Sequence, residues 1–372
     1  MKPLRLIADD LTGALDSACA FALASWPVKV AIPGLPLPEG PSVAVSTESR
    51  EMARVDAVQS VATIVAKLRA PDTNTIWFKK IDSVMRGNPV AEIGAMLRSG
   101  YFDHCVLAPA YPAMGRITVA DRQYLLRADG ELLAVGPNFR TALNEIGLSA
   151  ELVDEAAADV TPGNGAAIQI VEACEQEELR RRISAIAALP EVRRLWAGSG
   201  GLAMALAGQK APISFPPISA FIVGTGHPVA REQASRLRQE HLIGHAPSTA
   251  LAPLLLAPAL NTDDVFEGER ELQSALQVLH FPEPDRTSIL VTGGATLTTT
   301  LQSTAAQCLE CIGEAVPGVA VSRILGGRWH GITLLSKSGG FGSPSLFLDL
   351  LRLGHSNPRD GRGQAHSYGG ID

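Results

Sequence analysis

The chain opens on a short apolar run at residues 4–8 that stops at Asp9 and Asp10, and an amphipathic stretch follows at 13–23. Short apolar runs bounded by polar residues predict buried strands, whereas apolar positions recurring every three to four residues predict helices lying on a sheet. On that pattern, strands are expected at 28–32, 42–46, 75–79, 105–108 and 167–171, with helices at 56–68, 90–97 and 177–188. Strands separated by helices favour a mainly parallel sheet. The stretch 124–135, with Ala128-Asp129-Gly130 between apolar runs, breaks the rhythm and predicts a hairpin able to act as a flap.

Residues 208–219 (GQKAPISFPPIS) carry three prolines and no helical periodicity, which marks a domain boundary. Beyond it the alternation resumes, with strands at 220–223, 288–292 and 333–336 and helices at 228–240 and near 298–311. Residues 241–284 mix an Ala/Leu/Pro-rich run with an acidic helix, and after residue 353 the chain turns Gly-, Pro- and polar-rich, as loosely ordered ends do. A chain of 372 residues exceeds the size at which single cores usually stop growing. The expected fold is therefore α/β with two domains, at 1–210 and 219–353, followed by a tail at 354–372. Each domain is a largely parallel sheet flanked by helices, and the active site lies in the interdomain cleft.

Hydrophobic residues make up 46% of the chain and charged residues 19%, as in a globular protein with a large core. No apolar run reaches the roughly 20 residues of a membrane span, and the first residues lack a signal peptide's apolar stretch. A cytoplasmic protein with no membrane partner is expected. Lys plus Arg number 32 against 38 Asp plus Glu, and the resulting charge of −6 disfavours nucleic acid as a partner. Five cysteines, Cys19, Cys105, Cys174, Cys308 and Cys311, are too sparse for a disulfide framework, so reduced thiols are expected.

Ligands of open α/β sheets bind beyond the carboxyl ends of strands. At the first such end Asp9, Asp10 and Thr12 precede a helix. Capping explains one polar residue there, so the pair of carboxylates points to binding a hydroxyl or accepting its proton. At the second end Lys79, Lys80, Asp82, Ser83 and Arg86 crowd one turn. Arg offers bidentate donors and Lys a compact charge, which makes Lys80, Asp82 and Arg86 candidates for holding an anionic substrate. Lys79 reads more simply as part of a solvated basic loop. At the third end Pro109 and Pro112 stiffen a loop carrying Gly115 and Arg116, either a binding loop or a plain crossover.

In the second half, Gly224-Thr225-Gly226-His227, Thr292-Gly293-Gly294-Ala295-Thr296 and Lys337-Ser338-Gly339-Gly340-Phe341-Gly342 each follow an expected strand. Glycine turns expose backbone N–H groups that cradle phosphate oxygens, and three such turns suggest a nucleotide. Neither the phosphate-loop pattern G-x-x-x-x-G-K-[ST] nor a Rossmann fingerprint is present.

These segments together resemble the four-carbon acid sugar kinase family. The resemblance runs, in the family's order, through IADDLTGA (7–14), STESR (46–50), KKIDSVMRGN (79–88), APAYPAMGRIT (108–118), GSGGLA (198–203) and KSGGFG (337–342). It implies phosphorylation of threonate, erythronate or 3-oxo-tetronate by ATP in carbohydrate catabolism, with Mg2+ spreading the phosphate charge. By motif, Asp9, Asp10, Lys80, Asp82, Arg86 and Arg116 would line the acid pocket. Asp10 is the first candidate for the base and Asp9 the second, with Arg86 and Lys80 on the substrate carboxylate. The nucleotide would be surrounded by His227, Gly293, Gly294, Thr296, Lys337, Gly339 and Gly340, together with Glu314 and Gly318 of IGEAVPG. No protein metal ligand is implied, and a homodimer is compatible with the resemblance.

Two positions depart from the family pattern: Ala295 stands where Asp or Glu is usual, and His227 precedes Pro228 where Ser is usual. Loss of that carboxylate would weaken a magnesium or ribose contact. A rival class therefore stays open, a non-catalytic acid-sugar-binding regulator that has lost nucleotide chemistry. A redox or metal role for Cys308 and Cys311 is weaker, because in the expected helix they read as two small buried side chains without a second ligand pair.

Overall fold

A computed structural model describes residues 2–68, 74–127, 129–153, 168–190, 192–208, 210–240, 253–258 and 265–355. The first half begins β1 (Leu4–Ala8), α1 (Leu11–Phe21), β2 (Val28–Ala31), β3 (Ser42–Ser46), α2 (Arg54–Leu68), β4 (Ile76–Lys80), α3 (Pro89–Arg98) and β5 (His104–Ala108). It continues through β6 (Arg116–Val119), β7 (Arg122–Leu126), β8 (Leu132–Val135), α4 (Phe139–Asn144), β9 (Ala150–Leu152), β10 (Ile168–Ile170), α5 (Gln176–Ala187), β11 (Arg194–Gly198) and α6 (Gly200–Ala207). The second half holds β12 (Ile218–Val223), α7 (Pro228–Gln239), β13 (Leu254–Leu256), α8 (Val265–Val278), β14 (Ser288–Thr292), α9 (Gly294–Ser303), β15 (Cys308–Val316), β16 (Val319–Leu325), β17 (Thr333–Lys337) and α10 (Leu346–His355).

Both halves build a largely parallel sheet, and the two are fused. One 14-stranded sheet runs β13-β12-β14-β17-β16-β15-β2-β3-β1-β4-β11-β5-β10-β9. The seam is the antiparallel pair β15–β2, in which Cys308 faces Ala31 and Cys311 faces Val28. Helix α1 covers this seam and touches β15, α6 and α9. Its small and apolar face, including Ala14, Leu15 and Ala18, is fully buried in the core that both halves share. Residues 210–217, between α6 and β12, form neither helix nor strand. Among the described residues no helix is long and apolar enough to cross a membrane.

The expected helix near 298–311 is corrected. Helix α9 stops at Ser303, and Cys308 to Cys311 lie on strand β15. Burial alternates along β15, with Leu309, Cys311, Gly313 and Ala315 turned inward. That is a strand's period of two, which the apolar Cys308, Ile312 and Val316 on the opposite face obscure in the sequence. Cys308 and Cys311 are free thiols. The expected hairpin forms as β7 and β8, joined by β6 in a separate three-stranded antiparallel sheet. Strand β11 fills the gap between β4 and β5 at the centre of the first half, with no signal recognised in advance. The acidic helix of the 241–284 stretch is α8, while the tail at 356–372 lies outside the described residues.

Lys79 is the second correction. It is fully buried, not solvated: its ammonium lies 2.6 Å from Glu92 Oε2 and donates to the Lys80 carbonyl at 3.0 Å. Ser49 Oγ donates to the other oxygen of Glu92 at 2.6 Å and shares a 2.7 Å hydrogen bond with Thr47 Oγ1. A buried ion pair therefore ties β4 and α3 to the loop after β3. Removing one partner of such a pair strands the other charge in a low-dielectric core, whereas an apolar pair is often neutral. Glu92→Ala is expected to lose about 3–5 kcal/mol in urea unfolding, and the double variant Lys79→Met/Glu92→Leu to recover most of that loss.

Candidate active site

A cleft of about 450 Å³ opens between the halves, lined by the segments that follow β1, β4, β5, β11, β12, β14 and β17. Asp10 is the N-cap of α1: its Oδ1 accepts from Gly13 N at 2.8 Å and its Oδ2 from Thr12 Oγ1 at 2.7 Å. Arg50, carried in by the loop after β3, closes on both neighbouring carboxylates. Its Nη1 meets Asp10 Oδ2 at 2.7 Å, Nη2 meets Asp10 Oδ1 and Asp9 Oδ1 each at 2.9 Å, and Nε meets Asp9 Oδ2 at 2.8 Å. Burial alone would raise the pKa of Asp9, but Arg50, with Lys79 and Lys80 behind it, brings the carboxyl below its usual range. Asp9 sits behind Arg50 and does not line the cleft.

The turn after β4 folds around Asp82. Its Oδ1 accepts from Val84 N at 3.0 Å and Arg86 N at 3.3 Å, and its Oδ2 accepts from Arg86 Nη2 at 2.6 Å. Burial opposes ionisation there, yet Arg86 and Arg50 hold the Asp82 pKa at about 2. Lys80 Nζ donates to the Ile81 carbonyl at 3.1 Å and stands 3.9 Å from Asp16 Oδ2. Arg116 differs from these cations. Its Nη1 donates to the Met114 carbonyl, its buried Nε has no partner, and no described carboxylate lies within ion-pair distance.

On the other wall, Gly293 caps α9 at φ 100°, where a side chain would be strained and its Cβ would come 3.0 Å from Thr225. The N-terminus of α9 points at the acid side, since a Cβ on Gly294 would lie 3.6 Å from Asp10 Oδ2. Gly339 and Gly340 abut Thr225 and His227. His227 Nδ1 accepts from Val229 N at 3.3 Å and caps α7, the task a serine performs at such a position. Ala295 is exposed on the first turn of α9, which carries no acidic residue. Thr296 is buried beneath the turn and Glu314 is set back, so neither lines the cleft. Glu314 Oε1 accepts from Gly318 N at 2.7 Å, and burial, with the nearby charge of Asp16, lifts its pKa to about 7.

Lys337, at the end of β17, is only 2% exposed. Its Nζ donates to Thr292 Oγ1 at 3.1 Å and lies 5.5 Å from the centre of the Phe347 ring, with no described carboxylate in reach. Burial lowers its pKa to about 7. The structure thus gathers Asp10, Lys80, Asp82, Arg86, Arg116, His227, Gly293, Gly294, Gly318, Lys337, Gly339 and Gly340 around one space. Five Lys and Arg side chains face three aspartates, so the cleft favours anions. Asp16, Arg50, Tyr111, Gly200 and Phe341 also line it without having been singled out. The STESR and GSGGLA motifs signalled Arg50 and Gly200, whereas nothing local distinguished Asp16 within its helix.

Comparison with known proteins agrees with this layout. Residues 4–142 match the description "Sugar-binding N-terminal domain" and residues 269–347 match "Nucleotide-binding C-terminal domain". The D-threonate kinase of Bordetella bronchiseptica is 28% identical over 92% of this chain and 95% of its own. A D-erythronate kinase of Heliobacterium modesticaldum is 37% identical over 34% of this chain and 29% of its own. A solved structure from Salmonella typhimurium LT2 shares the fold, with a TM-score of 0.68 and 18% identity over 95% of this chain and 99% of that one. The chain belongs to the four-carbon acid sugar kinase family.

Lys337 gives a test of the site's electrostatics. An unfolded lysine keeps its proton to about pH 10.4, whereas folded Lys337 releases it near 7. The unfolded chain binds more protons between those values, so this residue makes stability rise with pH from about 7 to 10. Lys337→Met is expected to raise the melting temperature at pH 7 and to flatten that rise in a pH series of thermal unfolding.

Proposed function

We propose that this protein is a kinase that transfers the γ-phosphoryl group of ATP to a hydroxyl of a four-carbon acid sugar such as threonate, erythronate or 3-oxo-tetronate, in cytoplasmic carbohydrate catabolism. One observation carries the reading: Arg116 and Lys337, the cleft's two cations without a carboxylate partner, stand on different halves of the same cleft. Arg116 takes the acid's carboxylate with its guanidinium, which no described carboxylate occupies. Lys337 and the N-terminus of α9, with Gly293, Gly294, Gly339 and Gly340, take the phosphates, because helix N-termini and glycine turns offer backbone N–H groups to anions. Arg86 and Arg50 are already committed to Asp82, Asp9 and Asp10, so they shape the pocket more than they bind the acid. Asp10, beside the start of α9, orients a substrate hydroxyl toward the phosphates. The relatives named as D-threonate and D-erythronate kinases support both the chemistry and the substrate class. On this reading residues 1–210 supply the acid side and residues 219–353 the nucleotide side.

Among the described residues no three His, Cys, Asp or Glu side chains converge as a metal cage. The described residues therefore offer no all-protein cage for magnesium. Mg2+ keeps much of its coordination on phosphates and water, so magnesium would enter with the triphosphate.

Release of ADP from magnesium-ATP across a panel of threonates, erythronates and 3-oxo-tetronates tests the proposal, and turnover of at least one acid is expected. Acids that raise the melting temperature without any turnover would support the regulator instead. Arg116→Ala is expected to raise KM for the acid roughly 10- to 100-fold, the worth of a charge-assisted hydrogen-bonded contact, with KM for ATP nearly unchanged.

A further inference from the structure

We propose that Asp16, on the second turn of α1, is the proton acceptor for the attacking hydroxyl; this rests on the kinase reading above. The three carboxylates lining the cleft differ in what they already hold. Both oxygens of Asp10 accept from Arg50, and each takes one further donor, Gly13 N or Thr12 Oγ1. Asp82 is filled by Arg86 and by two backbone N–H groups. Asp16 faces the same space with no described donor within hydrogen-bond distance of its carboxylate, the nearest cation being Lys80 at 3.9 Å. A base needs a lone pair that no other donor occupies and a path to the reacting group, and Asp16 keeps both.

The surroundings are built to admit this side chain. Gly200, where α6 begins, leaves the room: a Cβ there would fall 2.8 Å from Asp16 Oδ2 and 2.9 Å from the Tyr111 ring. The titratable and charged groups around Asp16 are Lys80 of β4, Asp10 at the cap, Cys19 on the same helix, Tyr111 after β5 and Glu314 of β15. Burial raises the Asp16 pKa above the ordinary carboxylate value, Lys80 partly offsets this, and Asp10 adds to it. A raised carboxylate pKa brings a base closer to working pH.

The substrate oxygen forms a bond to the γ-phosphorus while its O–H bond breaks and the proton passes to Asp16. The bond from the γ-phosphorus to the β,γ-bridging oxygen breaks, and its electron pair leaves with ADP. Asp16 then returns the proton to the water of the open cleft.

Kinetics of the full chain with magnesium-ATP and the acid panel test this, using Asp16→Asn, Gly200→Ala and Asp10→Asn. Asp16→Asn is expected to fold with an unchanged or higher melting temperature and to lose about 100-fold or more in kcat, with KM for the acid within about threefold. The acidic limb of the kcat–pH profile should disappear in that variant and persist, at a lower rate, in Asp10→Asn. Gly200→Ala should lower kcat in the same direction by displacing the carboxylate. The proposal is overturned if Asp16→Asn keeps kcat within about threefold of the parent, if its acidic limb survives, or if extra Mg2+ restores its rate. Wild-type protein that turns over no acid would sink the kinase reading as well, whereas wild-type turnover with an unimpaired Asp16→Asn sinks the proton-acceptor role alone.

Discussion

The site depends on the grip of one guanidinium on two adjacent carboxylates. Asp9 and Asp10 directly follow the same strand, and without a counter-charge their repulsion at the mouth of a buried sheet would be costly. Arg50 supplies it through four hydrogen bonds of 2.7–2.9 Å and reaches within 3.7 Å of Asp82. Three strand-end segments, after β1, β3 and β4, are thereby held in one arrangement. Beneath them the Ser49–Glu92–Lys79 chain anchors the loop that carries Arg50, so the fork is aimed from within the core. A planar, always charged group suits this task, and a lysine could not span both carboxylates in the same way.

Commitment of charges then decides what remains for ligands. Arg50 and Arg86 are paired with Asp9, Asp10 and Asp82, and the lining cations left without a described carboxylate partner are Arg116 and Lys337. A cleft organised in this way offers anions two separated cationic points, one in each half. On the proposed reading its glycines serve the same end by bringing backbone N–H groups close to the phosphates. At Gly318, with φ 79°, a Cβ would fall 2.1 Å from the Phe341 ring, so the turn and the aromatic that faces Tyr111 exclude any larger residue.

The two departures from the family pattern have different structural weight. His227 keeps the helix-capping role expected of serine, through its ring nitrogen, and so preserves the turn. Ala295 removes a charge from an exposed first turn and leaves the backbone of α9 free to meet an anion. Neither change disturbs the arrangement of glycines around the cleft.

Much of the architecture was legible in the sequence. Strands at 42–46 and 288–292 fall where the apolar runs put them, and Asp10, Lys80, Asp82 and Arg86 of the charged clusters at strand ends line one cleft. Such features are local: the period of a strand, a helix cap and a glycine turn are set by neighbours a few residues away. What only the tertiary structure decided is long-range. It buried Lys79 against Glu92, gave Arg50 to Asp9 and Asp10, left Asp16 without a described hydrogen-bond donor and Arg116 without a described carboxylate partner, and joined Val28 to Cys311 so that two sheets became one. Ion-pair choice and strand-edge pairing depend on which distant surfaces meet and on how much water is left between them, and no short window of sequence carries that information.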